Sequence, residues 1–196
     1  MPLKLKTAPA SEPITLANIK VKLGIESGDT SADAQISAMI PAARRWVENR
    51  TGRALITQTW TLYQDGFCGA ILLPKGQAQS ITHIKYTDST GTPVTVNAAD
   101  YQSDLVSEPA RIMPSISAGA WPSVESGRLN SVEVEFVCGY GAAANVPEDI
   151  IEALYRIIGH WLNNQSAIEQ GVTITRVPYA VEQMLSPYFL YSFGSY

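Results

Sequence analysis

The hydrophobic period of the chain changes partway through residues 30–65, TSADAQISAMIPAARRWVENRTGRALITQTWTLYQD. Up to Val47 the apolar residues recur at helical spacing, and Ile36, Met39, Ile40, Ala43, Trp46 and Val47 form one stripe. Arg44, Arg45, Glu48 and Arg50 lie largely off it. Asp29, Thr30 or Ser31 can cap the start, Asp33 suits the first turn, and Gly52 is placed to end the helix in a left-handed conformation. Beyond Gly52 the period drops to two. Ile56, Gln58, Trp60 and Leu62 share one face, while Leu55, Thr57, Thr59, Thr61 and Tyr63 share the other. The fold therefore has to be mixed, with a long helix feeding directly into a β-region. Pro41 lies inside the stripe, where a missing donor and a clash with the preceding turn cost about 3 kcal/mol. The stripe continues in phase on both sides of it, so the expectation is a kinked helix.

With 196 residues, 45% hydrophobic and 16% charged, the chain can bury a sizeable core and is not a disordered tail. A net charge of −4 with scattered Lys and Arg argues against tight binding of nucleic acid by phosphate neutralisation. Cys68 and Cys138 form no CxxC pair and read as small buried thiols. The N-terminal residues lack a signal-peptide core, and no apolar run reaches the roughly 18 residues of a membrane span. These features suggest a cytoplasm-like compartment.

Taken in order, residues 1–13 read as a flexible arm. Thr15 caps a short helix with Leu16, Ile19, Val21 and Leu23 apolar, and Gly24 ends it. From Ala54 to Tyr140 the signals are strands and turns: Ala70–Leu73, a hairpin from Ile81–Tyr86 to Pro93–Val96, then Tyr101–Val106, Ala110–Met113 and Ser131–Val137. About six short strands argue for an antiparallel sheet, sandwich or partial barrel. Pro147 opens a second long helix at its N1 position, with a broad apolar face of Ile150, Ile151, Leu154, Ile157, Ile158, Trp161 and Leu162. Ala180–Leu185 reads as one more short helix. The expected fold is α+β, a helical layer built by both chain ends with an antiparallel β-domain inserted. The boundaries are 1–13 for the arm, 14–53 and 146–186 for the helical domain, 54–145 for the β-domain, and 187–196 for an aromatic tail. That tail holds Tyr188, Phe189, Tyr191, Phe193 and Tyr196, which either fold back on their own domain or dock on a partner chain.

Little in the chain points to catalysis. HExxH, GxSxG and P-loop patterns are absent. His83 and His160 read as packed or surface residues, so no metal and no cofactor is expected. Gly139-Tyr140-Gly141 precedes a helix but sits in no βαβ unit, and reads as a turn. Asp100, Asp104 and Glu108 could face one another, but nothing defines a separation between two acids. Asp65, Asp88 and Asp104 read as turn residues. The chain is expected not to be an enzyme.

Several stretches, in this order and spacing, resemble one family. They are ITLANIKVKLGI, RRWVENRTGRALITQTW, LLPKGQAQSITHIKYTDSTG, the DYQSD strand, Trp121-Pro122, SVEVEFVCGYG, VPEDIIEALYRIIGHWLNN and VPYAVEQMLSPY. The chain resembles the head–tail connector (head-completion, or adaptor) proteins of tailed bacteriophages. The resemblance implies a structural virion protein in the neck, assembled in the host cytoplasm. It implies a ring, usually of twelve copies, bound under the portal protein. The ring would extend the DNA channel without gripping DNA and would carry a tail or stopper protein. It favours portal docking by Tyr188, Phe189, Tyr191, Phe193 and Tyr196. An inter-subunit or tail contact is expected in the β-domain or its loop Ser107–Arg128, with Trp121 and Arg128 as candidates. Pro41 departs from the family's uninterrupted helix. Two other classes remain: a small β-rich module binding peptide or carbohydrate on Trp121, Trp60 and tyrosines, and a hydrolase using acids of the β-domain.

Overall fold

The computed structural model describes residues 2–164 and 179–190. The chain divides into two compact units. One joins the N-terminal segment up to Pro9 with Thr57–Gly139, and the other joins Ala10–Ile56 with the described part of Tyr140–Phe189. The architecture is α+β.

The helical unit opens with α1 (Leu16–Leu23). The Thr15 side chain accepts the Asn18 N–H at 3.2 Å, and Gly24, at φ 70°, closes the helix by donating to the Lys20 and Val21 carbonyls. Val21, expected on the apolar face, is 83% exposed, so the buried face of α1 is carried by Ile19. The long helix α2 (Asp33–Thr51) begins after Ala32 without a side-chain cap. Asp29 instead accepts the Ser31 N–H at 3.0 Å, and Asp33 takes the ammonium of the buried Lys20 at 2.9 Å. At the other end Gly52, at φ 75°, donates to the Glu48 carbonyl at 2.9 Å. Pro41 lies inside a helix that runs through it. The carbonyl deprived of its bond belongs to Ser37, an exposed residue, where water can satisfy it.

Helix α3 (Glu148–Asn163) starts one residue later than expected, with Pro147 at the N-cap and Glu148 and Asp149 in the first turn. After it comes α4 (Tyr179–Leu185). Ile19, Ile36, Val47, Ile150, Leu154, Ile157, Val181 and Leu185 meet in one core. Two charged residues of α2 are also buried, contrary to their expected place off the stripe. Arg44 donates to Glu12 at 2.8 Å and to Glu48 at 2.8 Å, and the second Glu48 oxygen accepts the Leu55 N–H at 3.0 Å. Hydrogen bonding on both sides is what allows charges to be this deep.

The β-unit has a five-stranded antiparallel sheet in the order β1-β2-β8-β4-β5. These strands are β1 (Leu3–Thr7), β2 (Gln58–Gln64), β4 (Ala78–Thr87), β5 (Pro93–Thr95) and β8 (Val132–Cys138). A three-stranded sheet runs β3-β7-β6, from β3 (Ile71–Leu73), β6 (Tyr101–Asp104) and β7 (Ala110–Pro114). Strand β8 is central. Val134 lies opposite Leu62 on one side and Ile84 on the other, and all three are buried, as are Val132, Phe136 and Cys138. The expected hairpin is the β4–β5 pair, with Asp88 accepting the N–H groups of Thr90 and Thr92 in its turn.

Strand β1 corrects the expectation of a flexible arm over residues 1–13. Leu3 pairs with Leu62 and Leu5 with Trp60, so these residues complete the edge of β2. Later in the same segment Glu12 is held by Arg44, and Pro13 and Ile14 are buried. Cys68 corrects another expectation, since it is exposed while Cys138 is buried, and the two form no disulfide. Among the described residues no helix is long and apolar enough to cross a membrane.

Candidate functional site

The chemistry-bearing acids of the β-unit are engaged in shaping loops. Asp104 accepts the Ser107 N–H and hydroxyl at 3.0 and 2.6 Å, the Val106 N–H at 3.1 Å and the Arg111 Nε–H at 3.0 Å. These donors, the Ser107 hydroxyl foremost, hold its carboxyl down at a pKa of about 2, so it stays ionised and is unsuited to proton donation. Glu108 accepts from the Gln77 backbone and amide, and Asp65 ties down the Asn130 N–H at 2.8 Å. Asp100 sits in a short 3-10 turn whose Asn97 side chain accepts the Ala99 N–H.

The aromatic candidates fall into two groups. Trp121 stacks on Phe67 with centroids 4.7 Å apart and planes within 7°, and its indole N–H donates to the Gly69 carbonyl at 2.7 Å. Phe67 in turn meets Tyr86 edge-on at 5.8 Å. Trp121 therefore pins its loop to the β-unit. Lys75 lies over the Trp60 ring at 4.8 Å. Both tryptophan faces proposed as stacking platforms already have partners. Arg128, half-exposed, donates to Glu125 at 2.9 Å within the same loop.

In the helical unit, Arg53 donates to the Tyr188 carbonyl at 2.6 Å, and the Tyr188 hydroxyl donates to Asp149 at 3.1 Å. Burial raises the Tyr188 phenol pKa, and the bond to Asp149 adds to the shift. Arg50 lies over the Phe189 ring at 5.2 Å, and both aromatics pack against the helical core. Tyr191, Phe193 and Tyr196 lie outside the described residues. His160 is in the last turn of α3, where its Nδ1 contacts the Asn164 amide at 3.1 Å.

Two features escaped the sequence reading. Val106, Ile116 and Leu129 are 94%, 93% and 75% exposed, and all three lie in or beside the loop Ser107–Arg128. Three large apolar side chains are thus left bare in or beside one loop. The available signal for Ile116 and Leu129 was their position between polar residues, off any periodic face, whereas Val106 read as the end of a strand. The second feature is His83 with Glu133 and Glu135. The imidazole Nε2 lies 3.1 Å from Glu133 and 3.9 Å from Glu135, and Lys6 also binds Glu135. The bond to Glu135 raises the Lys6 pKa. Strand register assembles this cluster from residues some fifty positions apart or more, which no local motif displays.

The arrangement is thus one of tethered loops, exposed apolar tips and an anchored C-terminal segment. Residues 13–106 match the model of the phage gp6-like head-tail connector proteins. Those residues are similar to that family. The fold agrees along nearly the whole chain. The structure is similar to a chain in the neck of an empty gene transfer agent (GTA) particle computed with C6 symmetry. The TM-score there is 0.76 at 20% identity, covering 98% of this chain and 97% of the other. A chain of the native gene transfer agent virion gives the same values. A chain from the native GTA neck computed with C12 symmetry gives 0.68 at 22% identity, with the same coverage. None of the curated proteins matches. The connector stretch spans α1, α2 and the strands through β6, so it takes in parts of both units.

Proposed function

We propose that this protein is a structural head–tail connector, or adaptor, of a tailed phage or phage-derived particle. It forms a ring of about twelve copies under the portal protein, extends the DNA channel and carries the tail or a stopper protein. The observation that carries the reading is the connector-family match over residues 13–106, joined to a fold shared end to end with neck components. The protein acts by assembly and not by catalysis, needs no cofactor, and meets no membrane.

The physics of the chain suits this role. A net charge of −4 per subunit, repeated around a ring, repels the duplex and lets it slide, whereas a basic lining would hold it by phosphate contacts. A closed ring needs two different surfaces on each subunit, because its contacts are head-to-tail. The loop Ser107–Arg128 supplies one of them, with Val106, Ile116 and Leu129 as its apolar contacts, Trp121 as the internal pin that presents it, and Arg128 at its polar edge. The terminal aromatics supply the portal contact. Tyr188 and Phe189 anchor the segment to the helical unit through Arg53, Asp149 and Arg50, and Tyr191, Phe193 and Tyr196 provide the docking side chains.

Native mass spectrometry of the purified chain with a portal ring tests the reading. The expected result is a stoichiometric complex with several connector copies per portal. A chain that stays monomeric and never binds portal would overturn it.

A further inference from the structure

On β8 the residues alternate, so Glu133 and Glu135 share the sheet face opposite the buried Val132, Val134 and Phe136. His83 on β4 lies opposite Glu135 in register, which hangs its ring between the two carboxylates. His83 Nε2, one Glu133 oxygen and one Glu135 oxygen all lie within 4.8 Å of one another, and the two His–Glu separations are 3.1 and 3.9 Å. A tetrahedral zinc-class ion with bonds of about 2.0–2.1 Å needs its donor atoms about 3.3–3.4 Å apart. The two measured separations bracket that value. One imidazole nitrogen and two carboxylate oxygens are a donor set for borderline divalent ions such as Zn²⁺, Co²⁺ or Mn²⁺.

A second observation concerns Lys6. Its ammonium is bound to the same Glu135 oxygen that faces His83, so a cation already occupies the mouth of the cluster. The two ends of this pair are unequal. The Glu135 side chain is only 7% exposed, while that of Lys6 is 54% exposed on an edge strand and is free to swing away. We propose that His83, Glu133 and Glu135 form a divalent transition-metal site, with Lys6 standing in for the metal in the metal-free chain. A bound ion would tie β4 to β8 through side chains and leave a fourth position to water.

The test is titration of the chelator-treated full chain with Co²⁺, followed by its visible absorption, and with Zn²⁺, followed by calorimetry. One site per chain is expected. Lys6→Met should tighten binding, and His83→Gln and Glu133→Gln should each weaken it at least about tenfold. Glu133 is about one-third exposed, so Glu133→Gln keeps the test available even if His83→Gln disturbs the sheet. A melting curve recorded without metal verifies that each variant is folded. Absence of saturable binding would overturn the proposal. So would binding that the folded His83 and Glu133 variants leave unchanged, or a Lys6→Met chain that binds no more tightly than the parent.

Discussion

The Glu48 carboxylate is the best single point at which to test how the helical unit is held together. One of its oxygens accepts from Arg44 at 2.8 Å and the other from the Leu55 N–H at 3.0 Å, in a residue only 6% exposed. It therefore joins α2 to the segment that leads into β2. Glu48→Ala removes a buried ion-pair partner, a change that costs about 3–5 kcal/mol when the other charge is stranded. Arg44 keeps Glu12 at 2.8 Å, and Glu12 is about one-third exposed, so the lower end applies. The fully buried Leu55 also loses the acceptor for its N–H, a loss of about 1–3 kcal/mol that is contained in the same change. The expectation is about 3 kcal/mol for Glu48→Ala. It is about 1–2 kcal/mol for Glu48→Gln, whose amide oxygen can still accept from Leu55. At about 4–8 °C per kcal/mol for a unit of this size, the alanine variant should melt at least about 12 °C lower. Thermal and urea unfolding followed by far-UV circular dichroism read both variants. An alanine variant within about 1 kcal/mol of the parent would refute the network as a source of stability. Equal losses for Ala and Gln would refute the part assigned to the Leu55 N–H.

Further expectations concern loops, assembly and the terminus. Asp104 has a carboxyl pKa lowered from 3.8 to about 2, so the order of its turn is fully present above pH 4 and is lost as pH falls through 2. The amide signals of Val106 and Ser107 should shift over that window, and Asp104→Asn should abolish the titration. Ile116→Asp combined with Leu129→Asp should leave the melting temperature within about 2 °C, since both side chains are bare, while weakening ring formation at least about tenfold by analytical ultracentrifugation. A stable ring from that double variant would remove the loop from the contact. Deleting residues 191–196 should abolish portal binding with the subunit still folded. A cut beginning at Pro187 would also remove the Tyr188 and Phe189 anchors, and would mix binding with stability.

The parts legible in the sequence were those governed by local chemistry. Thr15 and Gly24 bound α1 through a side-chain cap and a left-handed closing residue, and both could be read from residue type alone. The same holds for Gly52 after α2 and for the Asp88 turn between β4 and β5. What escaped depended on partners distant in the chain. Leu3–Thr7 alternates, but an edge strand is defined by its neighbour, and β2 begins more than fifty residues later. Arg44 and Glu48 looked like surface residues because their identity announces charge. Their burial follows from Glu12 and the Leu55 N–H, which helical periodicity does not display. Cys68 followed the usual preference of thiols for the interior and was wrong because its loop lies outside any core. Of the candidate surface, Trp121 and Arg128 were visible as residue types in a long loop. The bare tips Val106, Ile116 and Leu129 were not, since an apolar residue beside a strand reads as core until exposure is measured.

The account rests on this chain being a repeating part of a neck. The most direct measurement is electron cryomicroscopy of the assembled particle's neck, with this chain's two units fitted to the density. The account predicts a closed ring, in contact with the portal on one side and a tail-side protein on the other, with the Ser107–Arg128 loop between neighbouring copies. A neck whose density has no place for this fold, or particles that assemble and join tails normally without the chain, would contradict it.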